Sequence, residues 1–344
     1  MLTRAALVVT FALAAVAASA QTRPSITIGL VPSVPSASTY LALDKGYFRE
    51  AGVDVKIETV DSAAKIIPFI AQGQVQVAQG GISAAYFNAV GDGLPIRLAL
   101  EGGSTPVYHS VVVRPELKDQ FKKIADLKGR PVALVAPGSS QDYQMGKLLG
   151  TVGLTLKDID VKYMAFPQMA AALANKGVDA ALEDAPFLEQ VVAKKLGVRW
   201  IDPEDVIQPV PTSLLGYIVN VDWAEKNQAL AKKLMVALQR GARDYCQAYH
   251  HGPNRDEVVE VMFKHKVLTD RQLLEEMDWQ ARSPDGRFNV ASLTDQQAFF
   301  VKNGSVHKET PVAKLVDTAY ADEVAKALGP FKLINAKSPL KGCR

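Results

Sequence analysis

From residue 26 onward, apolar and polar positions alternate in short runs whose period switches between two and about three and a half. Ile26-Thr27-Ile28-Gly29-Leu30 alternates as a half-buried strand does. Val31-Pro32-Ser33-Val34-Pro35-Ser36-Ala37-Ser38-Thr39 has neither period and reads as a hydroxyl-rich loop. Tyr40-Leu41-Ala42-Leu43 then opens a helix that stops at Lys45-Gly46-Tyr47-Phe48, and residues 51–57 restart a strand. The pattern next predicts a helix over 63–71 closed by Gly73, a strand over 74–78 and a tight loop at Gly80-Gly81-Ile82-Ser83. A helix through Val90 and a strand over 95–100 follow, ending at Glu101-Gly102-Gly103-Ser104. Strands alternating with helices predict a mainly parallel sheet.

A second series of the same kind begins at Ser110-Val111-Val112-Val113. It continues through a turn at 124–129, a strand over 131–135, the loop Pro137-Gly138-Ser139-Ser140-Gln141-Asp142 and a helix to Leu149. A strand over 160–164, a helix over 168–175 and a strand over 178–182 follow, the last ending at Glu183-Asp184-Ala185-Pro186 before a helix towards Lys195. Residues 214–221 form a late strand able to rejoin the first series. The rest reads as helices over 227–249, 256–264, 270–280, 295–302 and 318–328, with Thr269, Thr294 and Asp317 as N-caps. Two crossings between the series, near 108–113 and 214–219, make a pair of hinges.

Composition narrows the function. Arg4, an apolar stretch over 5–18 and Ala18-Ser19-Ala20 fit an export signal cut after Ala20, which places the mature chain in the periplasm. The remaining length suits two lobes better than one core. A net charge of +3 with no basic stripe argues against nucleic acid. Cys246 and Cys343 are either bridged to each other or both free. The five histidines show no metal-ligand spacing and read as structural or surface groups. Gly-x-Ser-x-Gly, P-loop and Cys-x-x-Cys patterns are absent, so neither metal nor cofactor is expected.

Several segments together resemble the periplasmic solute-binding proteins of the nitrate, sulfonate, taurine and thiamine-pyrimidine group (SsuA/THI5-like, NMT1-like), which serve ABC importers. They are Lys45-Gly46-Tyr47-Phe48 with Gly52-Val53-Asp54-Val55, Gln72-Gly73 with Pro95-Ile96, Asp126-Leu127-Lys128-Gly129, Gly138-Ser139-Ser140, and Lys176-Gly177-Val178-Asp179-Ala180 with Pro186. The resemblance implies an α/β, two-lobed periplasmic-binding-protein-like (type II) fold: two mostly parallel sheets flanked by helices, joined by two hinge crossings. Residues 21–109 and 215–344 would form lobe 1 and residues 110–214 lobe 2. It further implies capture of a small solute by hinge closure, no chemistry on that solute, membrane permease subunits as partners, and a monomer. Two positions depart from the group. Gln76 stands where relatives carry Asp, and Glu183-Asp184-Ala185-Pro186 where sulfonate and taurine binders often read Trp-Asp-Pro.

Candidate ligand residues are those at strand ends and helix starts, where open α/β sheets bind small molecules. In the first series they are Ser33, Ser36, Ser38, Thr39, Gly81, Ile82, Ser83 and Glu101, with Tyr217 from the returning strand. In the second they are Ser139, Ser140, Gln141, Asp142, Glu183 and Asp184. Tyr40, Tyr86, Phe87, Tyr108, Phe166 and Phe187 lie near these loops and supply one or two stacking surfaces. Four acids and no Arg or Lys in these loops favour a flat nitrogenous solute resembling the thiamine pyrimidine precursor; the alternative is a sulfonate, nitrate or small aromatic acid. A reading from another class is an exported hydrolase using Ser139 or Ser140 with Asp184, although no histidine lies in these loops to act as base.

Overall fold

The computed structural model describes residues 23–60, 63–107 and 109–344. The expected export signal therefore lies outside the described residues, as does Tyr108. The strands are β1 (Ser25–Leu30), β2 (Asp54–Thr59), β3 (Val77–Gly81), β4 (Ile96–Ser104), β5 (Ser110–Val113), β6 (Pro131–Leu134), β7 (Asp160–Tyr163), β8 (Ala180–Glu183), β9 (Val198–Ile201) and β10 (Ser213–Asn220). Between and after them come helices α1 (Ala37–Asp44), α2 (Tyr47–Glu50), α3 (Ala63–Ala71), α4 (Ala84–Gly91), α5 (Ser140–Gly150), α6 (Phe166–Ala174) and α7 (Phe187–Ala193). The C-terminal helices are α8 (Val221–Lys226), α9 (Gln228–Tyr249), α10 (Arg255–Lys264), α11 (Arg271–Glu276), α12 (Val290–Lys302), α13 (Val312–Leu315) and α14 (Ala319–Leu328).

Among the described residues the strands form two five-stranded sheets, ordered β2-β1-β3-β10-β4 and β7-β6-β8-β5-β9. In each, four strands share one direction and one opposes them: β10 in the first sheet, β5 in the second. These two opposed strands are the ones reached by crossing between sheets, after β4 and after β9. The chain thus passes twice between lobes, as the pattern predicts.

Both faces of each sheet are covered, as parallel strands require. On the first sheet, Ile28, Leu30, Leu41, Leu234 and Leu238 belong to one apolar layer, and Ile70, Ala78, Phe87, Leu98 and Phe300 to another. On the second sheet, Leu134, Leu148 and Leu182 pack on one face, and Ala133, Ala181, Leu173 and Leu188 on the other.

Four differences from the predicted elements bear on the site. The strand predicted over 74–78 begins at Val77 and runs through Gly80 and Gly81, because Gln76 uses its side chain on Thr27 N and Gly73 O before the ladder starts. The first helix begins at Ala37, so Ser38 and Thr39 are helical. The helix predicted over 270–280 ends at Glu276. Residues 277–282 run on without regular structure, and Ala281 bridges Ser104. The helix predicted from Asp295 starts at Val290, which leaves Thr294 inside it with its hydroxyl on Val290 O. Asp270, not Thr269, caps α11 by accepting from Leu273 N. Strand β9 was not foreseen. Cys246 and Cys343 form a disulfide that ties the C-terminal tail to α9.

Candidate functional site

The two lobes meet where the β3–α4 turn of the first faces the β6–α5 turn of the second. Ala84 N donates to Gly138 O at 2.9 Å across this boundary. A Cβ at Gly81 would stand 4.0 Å from Ser140 Oγ, and one at Gly138 would press on Ala84. Further along α5, Tyr143 is buried in the first lobe's apolar layer, and its hydroxyl donates to Asp295 Oδ2 at 2.7 Å. Lys147 reaches the same carboxylate at 2.9 Å. Phe299 lies edge-on to Tyr143 and fills the space that a side chain at Gly146 would need. The carboxyl ends of the parallel strands, with the helix starts that follow them, are thus brought face to face.

On the first lobe, several candidate hydroxyls bond internally. Ser36 Oγ donates to Ser33 O at 2.7 Å, closing a short turn ahead of α1, while Ser33 itself is half-buried at the mouth. Ser38 donates to Pro35 O, and both Ser38 and Thr39 bond the Tyr217 hydroxyl. The hydroxyls of Ser36, Ser38, Thr39 and Tyr217 are thus engaged within the first lobe in this structure, because the helix starts early enough to enclose them. Ile82 is buried with its N–H on Leu214 O, and Gly81 is the last residue of β3. Ser83, the N-cap of α4, is buried, and its Oγ has no partner.

Sequence reasoning missed Arg282. Only 1% exposed, its guanidinium donates to Pro35 O, to Ser38 Oγ and to Glu101 O, directly behind the start of α1. Glu101, also 1% exposed, accepts from Ser283 N. Both sit within the first lobe, so Glu101 is a buried strand residue beside a cation rather than an open loop acid.

On the second lobe, Ser139 caps α5 by accepting from Asp142 N, and Ser140 stands half-buried beside it. Gln141 bridges three groups: it accepts from Val135 N and donates to Leu182 O and Asp184 Oδ1. Asp142 accepts from Gly138 N and the Tyr163 hydroxyl. Glu183 ends β8 fully buried, and neither of its carboxylate oxygens has a partner. Strand alternation puts it on the face of Ala181, the one covered by α6 and α7. The first residues of those helices, Phe166 and Phe187, stack with ring centroids 5.3 Å apart. His109 comes from the crossing segment. It is 1% exposed with both ring nitrogens unpartnered, and Nδ1 lies 4.0 Å from Asp184 Oδ1. No sequence signal joined His109 to Asp184, because they meet only through the β5–β8 pairing.

Burial dominates the electrostatics here. It pushes Glu183 up to about 8, with Asp184 adding repulsion, and pushes Asp184 up to about 7. Glu101 rises to about 7 by burial against the opposing pull of Arg282, and Asp142 to about 6. Burial holds His109 neutral, down to about 3. An acid raised in the folded state binds its proton more tightly there than in the unfolded chain, so stability falls as pH rises towards the folded value. A lowered histidine acts in the opposite sense, but only below its ordinary 6.5. Asp184 keeps 32% of its side-chain exposure and is screened by water, and Glu101 contributes only up to about 7, which leaves Glu183 to dominate above pH 7. The melting temperature of the ligand-free protein is expected to fall from pH 6.5 to 8.5, with a slope near 1.4 kcal/mol per pH unit per proton at most. Glu183→Gln should flatten that decline. A flat wild-type profile, or an unchanged slope in Glu183→Gln, refutes the assignment.

Among the described residues no group of His, Cys, Asp or Glu is arranged to hold a metal ion, and no helix is long and apolar enough to cross a membrane. The Ser139 hydroxyl bonds Asp142 N, and His109 bonds no hydroxyl. Among the described residues, no hydrogen bond joins a histidine or carboxylate side chain to the hydroxyl of Ser139 or Ser140.

Comparison with known proteins agrees with this geometry. The family model described as NMT1/THI5 like matches residues 34–249. The taurine-binding periplasmic protein of Escherichia coli is 28% identical over 243 residues, covering 71% of this chain and 72% of that protein. Across the curated relatives the chain spans roughly two thirds of their length. Among solved structures, the periplasmic nitrate-binding protein NrtA from Synechocystis PCC 6803 superposes with a TM-score of 0.71 at 16% identity, covering 94% of this chain and 92% of that one. The periplasmic aliphatic sulphonate binding protein SsuA from Escherichia coli gives 0.69 at 17% identity, covering 85% and 92%. These structures share the two-lobed periplasmic binding protein fold. The match to the family model covers more than half of the chain, which belongs to the NMT1/THI5-like family.

Proposed function

We propose that the protein is the periplasmic solute-binding component of an ABC importer, working as a monomer that closes its two lobes on one small solute and hands it to membrane permease subunits. The observation that carries this reading is the pair of strand–helix turns, Gly81–Ser83 and Gly138–Ser140, facing each other between lobes joined by two crossings. A cleft built this way binds by enclosure and hinge motion. The taurine-, nitrate- and sulphonate-binding relatives support the same reading.

Two ligand readings have an observation each. The buried acid Glu183 and the half-buried Asp184 beside it, with the Phe166–Phe187 stack on the Glu183 side of the sheet, favour a nitrogenous solute such as a thiamine-pyrimidine precursor. The starts of α4 and α5, both at the boundary, favour an anion such as a sulfonate, nitrate or small aromatic acid.

The test is to release whatever small molecule co-purifies, identify it by mass spectrometry and return it to the stripped protein. One-to-one saturation, recovery of the solute unaltered and a smaller radius of gyration by X-ray scattering are expected. A covalently changed solute, or a scattering profile that stays constant while the melting temperature rises, defeats the proposal.

A further inference from the structure

The chain after α14 returns across the end of α9 and is bonded there along its length. Gln247 donates to Lys332 O and accepts from Ile334 N, and Asn335 donates to His250 O. His250, fully buried, meets Ser338 Oγ at 2.9 Å through Nδ1 and Gly342 O at 3.0 Å through Nε2. A carbonyl only accepts, so Nε2 carries the proton and Nδ1 accepts from the serine. The Tyr249 hydroxyl donates to Lys341 O, and the Cys246–Cys343 disulfide completes the attachment.

This tail rests against the first crossing between the lobes, the stretch between Ser104 of β4 and Ser110 of β5. A Cβ at Gly342 would collide with Ala281 Cβ and stand 3.1 Å from Pro106 Cδ, and its φ of +80° is one that glycine adopts readily. Ala281 in turn holds the crossing on either side of Thr105. Its N–H donates to Pro106 O at 2.8 Å, and its carbonyl accepts from Ser104 N at 2.9 Å. The hold extends to the second crossing, between β9 and β10. Thr105 N donates to Thr212 O, Thr212 N donates to Thr105 Oγ1, and Val107 N donates to Glu204 Oε2 at 2.6 Å.

We propose that the disulfide-tied tail is a brace on the hinge: by seating Gly342 against Ala281 and Pro106 it holds both crossings in one geometry and narrows the range over which the lobes open. This rests on the reading of solute capture by hinge closure and adds what sets the stiffness of that hinge. A chain terminus frays unless it is tied down. Cys343 is the residue next to Gly342, so the disulfide fixes the tail at the point where it meets the crossing. A looser hinge spreads the solute-free protein over more open arrangements. The fraction competent to bind then falls, and apparent affinity falls in proportion.

The test compares the wild type with Cys246→Ser/Cys343→Ser and with Gly342→Ala, which keeps both cysteines but crowds Ala281. Hydrogen exchange of the stripped, solute-free protein is expected to speed up about tenfold or more at the Ser104, Thr105 and Ala281 amides in both variants, while the amides of β6 stay as in the wild type. The radius of gyration by X-ray scattering should increase in the same samples. The co-purified solute, returned to the double cysteine variant, should bind about fivefold more weakly than to the wild type. Exchange at the three hinge amides equal to wild type, even with a lower melting temperature, shows that the disulfide holds only the tail and overturns the brace. Equal acceleration in β6 overturns it as well, because the loosening is then global. If the hinge amides alone speed up but the returned solute neither binds nor contracts the wild type, the brace stands and solute capture falls.

Discussion

Gly241→Ala is expected to lower the melting temperature by about 3 °C and to weaken solute binding at the same time. Gly241 lies in the middle of α9, where helix propensity alone favours alanine by about 1 kcal/mol. Packing reverses that preference. A Cβ at this position would collide with the backbone oxygen of Ser38 and come within 3.0 Å of Ala42 N and 3.1 Å of Ala42 Cβ. Backbone atoms cannot rotate away as a flexible side chain does, so α1 and α9 must separate. Overpacking of this kind costs about 1–3 kcal/mol and sometimes more. A net loss of about 2 kcal/mol translates to about 3 °C in a chain of this size. The functional effect follows because α1 carries the Ser33–Ser36 turn on its leading end. Gly150→Ala is the control: it is also helical, but a Cβ there meets nothing. Thermal unfolding of the two variants decides the matter, and equal melting temperatures would show that the helices have slack.

Arg282→Leu is expected to cost about 3 kcal/mol, because it removes three buried, charge-assisted hydrogen bonds and the cation that faces the Glu101 carboxyl. The guanidinium holds Pro35 O, Ser38 Oγ and Glu101 O, and its charge opposes the upward push of burial on the Glu101 carboxyl. Leucine removes one donor from each of those acceptors and leaves the carboxyl without a cation. The Glu101 carboxyl, already raised to about 7, then rises further. The loss should accordingly be larger at pH 8, where the native carboxylate is ionised beside Arg282, than at pH 6, where it is largely protonated. The double variant Arg282→Leu/Glu101→Gln should recover part of the stability, because an amide requires no counter-charge. Denaturant unfolding at the two pH values measures all of this. If the double variant is no better than the single one, Arg282 acts through its hydrogen bonds to Pro35 and Ser38 and its packing against Tyr217 and Tyr245, not through the Glu101 charge.

Particular residues mark where the chain was legible in advance. The period-two run from Ile26 to Leu30 and the apolar spacing of Leu230, Leu234 and Leu238 became β1 and α9 because each signal is local. The turns at Gly81–Ser83 and Gly138–Ser140 were foreseen as strand–helix junctions, and the structure brings them together. Residues 277–282 were misread. Leu274 and Met277 have the i, i+3 spacing of a helix face, yet the segment leaves the helix at Glu276 and Ala281 bridges Ser104. That misreading hid Arg282 and led to a first lobe with no cation near its loops. Ser38 and Thr39, read as loop residues, are helical for a similar reason. Hydroxyls near a helix start read as loop donors until Tyr217, far along the chain, is seen to bond both.

Apart from β9, the sequence by itself determined the order of the strands and the two crossings, with the neighbourhoods of the candidate loops, because hydrophobic period and turn chemistry are set by residues a few positions apart. Only the tertiary structure decided which polar groups are bonded and which stand alone. Ser36 and Gln141 are engaged, Ser83 and Glu183 are not, Arg282 stands behind α1, and His109 sits beside Asp184. The physical reason is that burial and hydrogen-bond satisfaction depend on partners up to hundreds of residues away, which strand pairing and helix packing bring into contact and no local pattern encodes.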